Sequence, residues 1–148
     1  MKKNKADGDR QRAPQVGAQR RLANFDSLLA NVDVLNLAVI GGALASSATV
    51  YPNPILKSIA LACLAEISAR LTGDDPTDFQ LSLAQVSIDE IAGATAMILK
   101  MKVSYTADDS ALSLLNSLAD SLTAEFQERI NREKLLAQSA KFGGQTYG

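Results

Sequence analysis

The chain of 148 residues has no histidine, no tryptophan and a single cysteine. Without histidine there is no Ser–His or Cys–His nucleophile pair, and no imidazole is available to ligate a metal. With Cys63 alone, neither an intrachain disulfide nor a thiolate cluster is possible. Cys63 sits in the apolar run Ala62-Cys63-Leu64 and reads as a buried thiol acting as a small hydrophobe, with nothing beside it to lower its pKa. Aromatic side chains are scarce, four phenylalanines and three tyrosines. The core is therefore expected to consist of Leu, Ile, Val and Ala, a composition that suits closely packed helices.

Nucleotide and cation signatures are also missing. Residues 32–40 followed by Gly41-Gly42 could be taken as a strand and a phosphate-binding turn. However, the stretch has neither G-x-G-x-x-G nor G-x-x-x-x-G-K-[ST]. Asp74, Asp75 and Asp78 lack the spacing of an EF-hand loop and fit helix capping instead. Asp108-Asp109 reads as a first helical turn. Asp89 and Glu90 are adjacent, so on a helix their side chains point about 100° apart, a poor geometry for a paired acid and base. No catalytic, cofactor or metal residue is assigned, and a non-enzymatic role is expected.

Long apolar runs are few. The basic N-terminus leads into polar residues rather than the apolar segment of a signal peptide, and no run of about 18 uncharged apolar residues marks a membrane span. Val34–Val50 comes nearest but is rich in Gly, Ala and Ser, and is read as a packed helix. A cytoplasmic-type compartment is the expectation.

The net charge of −1 conceals two regions of opposite sign. Residues 1–21 carry seven basic and two acidic side chains (7 − 2 = +5), and residues 22–148 carry eight basic and fourteen acidic (8 − 14 = −6). The first region has almost no large apolar residue and is expected to be disordered by itself. Lys2, Lys3, Lys5, Arg10, Arg12, Arg20 and Arg21 make it a candidate anion-binding arm, for nucleic acid or an acidic protein surface. A solubilising tail, or an arm that folds against a neighbouring subunit, is the plainer reading.

The remainder reads as four helices. The first runs from an Asn24 cap to about Ala48, with Phe25, Leu28, Leu29, Val32, Leu35 and Val39 on one face. Its second half, residues 40–47, is made of small residues that let a neighbouring backbone approach closely. Asn53 as cap with Pro54 in the first turn opens the second helix, which ends at Gly73. Its outer side carries Lys57, Glu66 and Arg70. Asp75 and Pro76 are expected to open a third helix in the same way, running to about Ser104 with two apolar rows. A strand reading of residues 97–105 is the alternative there. The fourth helix, residues 107–141, is the longest: Thr106 is its expected cap, and Leu112, Leu115, Leu118, Leu122, Phe126 and Ile130 recur at helical spacing. From Glu125 onward it is charged, with Glu125–Arg129 and Glu128–Arg132 at i,i+4.

These features predict an all-α, four-helix bundle-like domain at 22–141, with a basic arm at 1–21 and a flexible Gly/aromatic tail at 142–148. The expected role is a structural or assembly subunit of a homo-oligomer, in the manner of virion or secretion-apparatus components. The expected interface is the overhanging end of the last helix, at Phe126, Ile130, Ala137, Phe142 and Tyr147. A nucleic-acid-binding accessory protein and a membrane-active protein inserting Val34–Val50 are the competing readings.

Overall fold

The computed structural model describes residues 22–105 and 108–147, with side chains over 24–105 and 108–140. The fold is all-α. A short strand β1 (Leu22–Asn24) leads into α1 (Asp26–Asn31), α2 (Val34–Val50) and α3 (Pro54–Thr72). Strand β2 (Gln80–Ser82) then precedes α4 (Ile88–Lys102), a 3-10 turn (Val103–Tyr105) and the long α5 (Asp109–Tyr147). The two strands form a minimal antiparallel ribbon with Leu22 opposite Ser82 and Asn24 opposite Gln80.

Local capping explains most of the boundaries. Asn53 accepts from the Ile55 and Leu56 amides, Pro54 occupies the first turn, and Gly73 at φ 76° ends α3 in the left-handed region, as predicted. The predicted continuous first helix is instead broken at Val32, whose extended backbone (ψ 136°) precedes Asp33. Asp33 then caps a new helix by accepting from the Asn36 amide. The third helix does not start at Asp75. Phe79, Leu81 and Leu83 are buried while Gln80 and Ser82 between them are exposed, the period of a strand rather than a helix. The helix begins only after Ser87, which forms a reciprocal capping box with Glu90. Neither alternative strand, at 32–40 or 97–105, is present; both stretches are mainly helical. The last helix is capped by Asp108, which accepts from the Ala111 amide at 2.9 Å. Thr106 lies outside the described residues, as do residues 1–21 with all seven of the arm's basic side chains.

Two antiparallel hairpins, α2–α3 and α4–α5, enclose one core. Leu37, Ile40 and Leu44 of α2 meet Ile55, Ile59 and Cys63 of α3, and Ile91, Ala94 and Ile98 of α4 meet Leu114, Leu115, Leu118 and Leu122 of α5. The predicted close approach of the small-residue segment occurs at Gly41. A Cβ there would lie 3.0 Å from the Cys63 Cβ and 3.6 Å from the Ala60 carbonyl oxygen. The hairpins are tied to each other by Asn53 Nδ2, which donates to the Glu90 carbonyl at 2.9 Å, and by an Asn36–Asp108 side-chain hydrogen bond.

Candidate interaction surface

Asp74, Asp75 and Asp78 lie exposed in the loop after α3, and Asp89 and Glu90 occupy the first turn of α4. Among the described residues, no group of three or more Cys, Asp or Glu is placed to hold a metal ion. Cys63 is fully buried, and that burial pushes its thiol up to about 12. Tyr105 is buried nearby. Its phenol is raised by burial first and then by Cys63 and Asp108, and its hydroxyl has no hydrogen-bond partner among the described residues.

Two Glu–Arg pairs four residues apart act as clamps, which sequence periodicity did not reveal. On α3, Glu66 is buried and accepts from Arg70 Nε at 2.8 Å and from the Thr77 amide at 2.9 Å. Burial pushes the Glu66 carboxyl upward, but the Thr77 and Arg70 hydrogen bonds and the Arg70 charge outweigh it, so the group lies below its ordinary 4.5. Arg70 also donates to the Leu29 and Ala30 carbonyls, satisfying oxygens at the C-terminal end of α1. On α5, buried Glu125 accepts from Arg129 Nε at 2.8 Å, and the Arg129 guanidinium donates to the Leu83 and Val86 carbonyls. Both pairs look like solvated i,i+4 partners in sequence, yet each anchors a loop that has no helical hydrogen bonds of its own. Glu66–Arg70 was predicted to lie on the outer side of its helix; the structure turns it inward.

The outer face of α2–α3 exposes several large apolar side chains. Leu35 is 71% exposed, Val39 50%, Leu61 56%, Leu64 49% and Leu71 78%. Between these lie exposed Ala38, Gly42, Ala43, Ser46, Ser58, Ala65 and Ser68. No residue of α2 is ionisable, and Lys57 is the one exposed charge on the outer side of α3. The sequence pattern places Leu35 and Val39 on one face of a continuous helix with Phe25, Leu28, Leu29 and Val32. The break at Val32 rotates α2 so that Leu37, Ile40 and Leu44 face inward instead.

The residues predicted as an oligomer seam are distributed along α5. Phe126 packs at the edge of the core and, with Ala92, Thr95, Ala96, Leu99 and Thr123, lines an apolar groove of about 300 Å³. Ile130 is half-buried, Ala137 is exposed, and the side chains of Phe142 and Tyr147 lie outside the described residues. Every residue from 131 to 140 is exposed, Leu135 and Leu136 each at 65%. No helix among the described residues is long and apolar enough to cross a membrane. Comparison with protein-family models, curated proteins and solved structures finds no match to this chain.

Proposed function

We propose that this chain is a structural subunit that assembles with copies of itself, rather than a catalyst. The observation that carries this reading is the apolar outer face of α2–α3, where Lys57 is the one exposed charge. Water-exposed leucines and valines in one contiguous patch oppose solubility, and such patches characterise protein or membrane contacts. The exposed run at 131–140, with Leu135 and Leu136, adds a second element reaching past the core, and it supports multivalent assembly. The basic residues of the arm supply the competing reading, binding of a polyanion.

Sedimentation of the full chain up to about 100 µM, a concentration at which even weak specific interfaces fill, tests the proposal. Discrete multimers are expected. Monomers throughout, with salt-dependent nucleic-acid binding lost on deletion of residues 1–21, would replace assembly with the polyanion reading.

A further inference from the structure

The two adjacent glycines of α2 are used differently. Gly41 is needed inside the molecule, because a Cβ at that position would meet Cys63 at 3.0 Å. A Cβ at Gly42 would meet nothing within 4 Å, and its φ is not positive. Neither internal packing nor backbone conformation therefore requires glycine there, while helix propensity disfavours it. Gly42 is exposed and lies at the middle of Val34–Val50, with eight residues on each side. With Ala43 and Ser46 it forms a low floor on the outer face. Beside that floor stand Leu61 and Leu64 of α3, the latter with its Cγ 4.0 Å from the Cβ position of Gly41.

We infer that two copies of the chain pair face to face through α2 and α3 about a two-fold axis near Gly42, the Gly42, Ala43 and Ser46 floor of each set against the same floor of the other and flanked by the Leu61 and Leu64 ridges. This rests on the self-assembly reading and specifies its interface. A two-fold contact must be self-complementary, each patch meeting its own copy. A floor of small residues on the axis satisfies that requirement, since the open space over Gly42 lets the α2 helix of the other copy approach closely. Charge also favours a second copy over a charged partner: α2 has no ionisable side chain, so superposing the face on itself brings no like charges together. Lys57 lies in the first turn of α3, at the end of the face. The size is adequate as well. Helices of 17 and 19 residues side by side give a flat projection of roughly 500 Å², with side chains adding to it, against about 800 Å² per partner for a standard interface. A dimer at the weaker end of stable complexes is expected.

Cysteine cross-linking of full-length Gly42→Cys tests the pairing, because a disulfide forms only where Cα atoms approach within about 7 Å. The native Cys63 is buried and silent, and Ala96→Cys on the exposed side of α4 is the control. Mild oxidation should convert most Gly42→Cys chains to a reducible dimer, at least about tenfold faster than Ala96→Cys. In parallel, Gly42→Leu should raise the dimer dissociation constant about tenfold or more while circular dichroism stays unchanged, since a Cβ at this exposed position meets nothing within 4 Å in the monomer. If wild type is multimeric but Gly42→Cys cross-links no faster than the control and Gly42→Leu assembles normally, the interface lies elsewhere and only the pairing is overturned. A monomeric wild type overturns both the pairing and the assembly reading. Monomers that bind phosphatidylcholine vesicles, with Gly42→Cys shielded from thiol reagents on binding, would assign the face to a lipid surface and overturn the pairing.

Discussion

The two hairpins differ on their outer surfaces more than in their cores. Inward, α2–α3 and α4–α5 are built alike, from Leu, Ile and Ala at helical spacing, most of it fully buried. Outward, α4 and α5 carry charge: Asp89, Lys100, Asp120, Glu128 and Arg132 lie on or near the surface. The outer face of α2–α3 instead displays Leu35, Val39, Leu61, Leu64 and Leu71. Burial of the core cannot account for those residues, since the inner stripe already closes it. Their apolar character exceeds what this fold requires, which is why the functional reading rests on them.

The largest effects are expected in the two cores. Leu44→Ala on α2 and Leu115→Ala on α5 each empty a fully buried site, and each should cost about 2–5 kcal/mol in denaturant unfolding. A negligible loss at either would mean that hairpin contributes little to the common core.

The clamps come next. Arg129→Ala leaves Glu125 buried without its guanidinium and frees the Leu83 and Val86 carbonyls, an expected loss of about 3 kcal/mol. Hydrogen exchange should rise locally around residues 83–87. Uniform acceleration across the molecule would show that the pair holds the whole fold rather than one loop.

The neighbouring glycines should then respond with opposite signs. Gly41→Val forces a side chain against Cys63 and should destabilise by about 1–3 kcal/mol. Gly42→Ala should stabilise the isolated subunit by up to about 1 kcal/mol, measured by thermal unfolding at concentrations too low for association. Similar losses at both positions would mean that Gly42 is needed within the subunit.

The smallest expected effect is on pH dependence. The folded Glu66 carboxyl lies below its ordinary 4.5, so the unfolded chain binds more protons at acid pH. The stability it contributes is present above about pH 4.5 and is lost as pH falls below it. Cys63 acts at the other end: its thiol is raised to about 12, so its contribution is complete below the ordinary value of 9.0 and declines between there and about 12. Glu66→Gln should flatten the acid limb of the stability profile and leave the alkaline limb alone. An unaltered acid limb would remove Glu66 as its source.

Much of this fold was legible because it depends on local chemistry. Asn53-Pro54 and Gly73 mark α3 through hydrogen bonds and a left-handed φ that only a few residue types supply. Residues 79–83 were misread because apolar positions can be fitted to a 3.6 period when their alternation is overlooked, although Ser87 and Glu90 already spelled out the true helix start. The cap at Asp33 resets the phase of α2 and leaves Leu35 and Val39 at the surface, off the face they share in the sequence pattern with Leu29 and Val32. The clamps were illegible for a different reason. An i,i+4 Glu–Arg pair has the same sequence in solvent or against a loop, and only the tertiary path of residues 74–87 distinguishes the two cases. The same holds for the outer face, whose exposure depends on what does not pack against it.

Light scattering across a concentration series, comparing charge substitutions on the two hairpins, tests the central claim most directly. Leu35→Asp with Leu61→Asp introduces like charges on the α2–α3 face, whereas Leu99→Asp with Val103→Asp does so on exposed positions of the other hairpin. The first pair should leave a folded monomer at concentrations where wild type and the second pair remain multimeric. Multimers that survive the first substitutions and dissociate with the second would contradict the assignment of assembly to α2–α3.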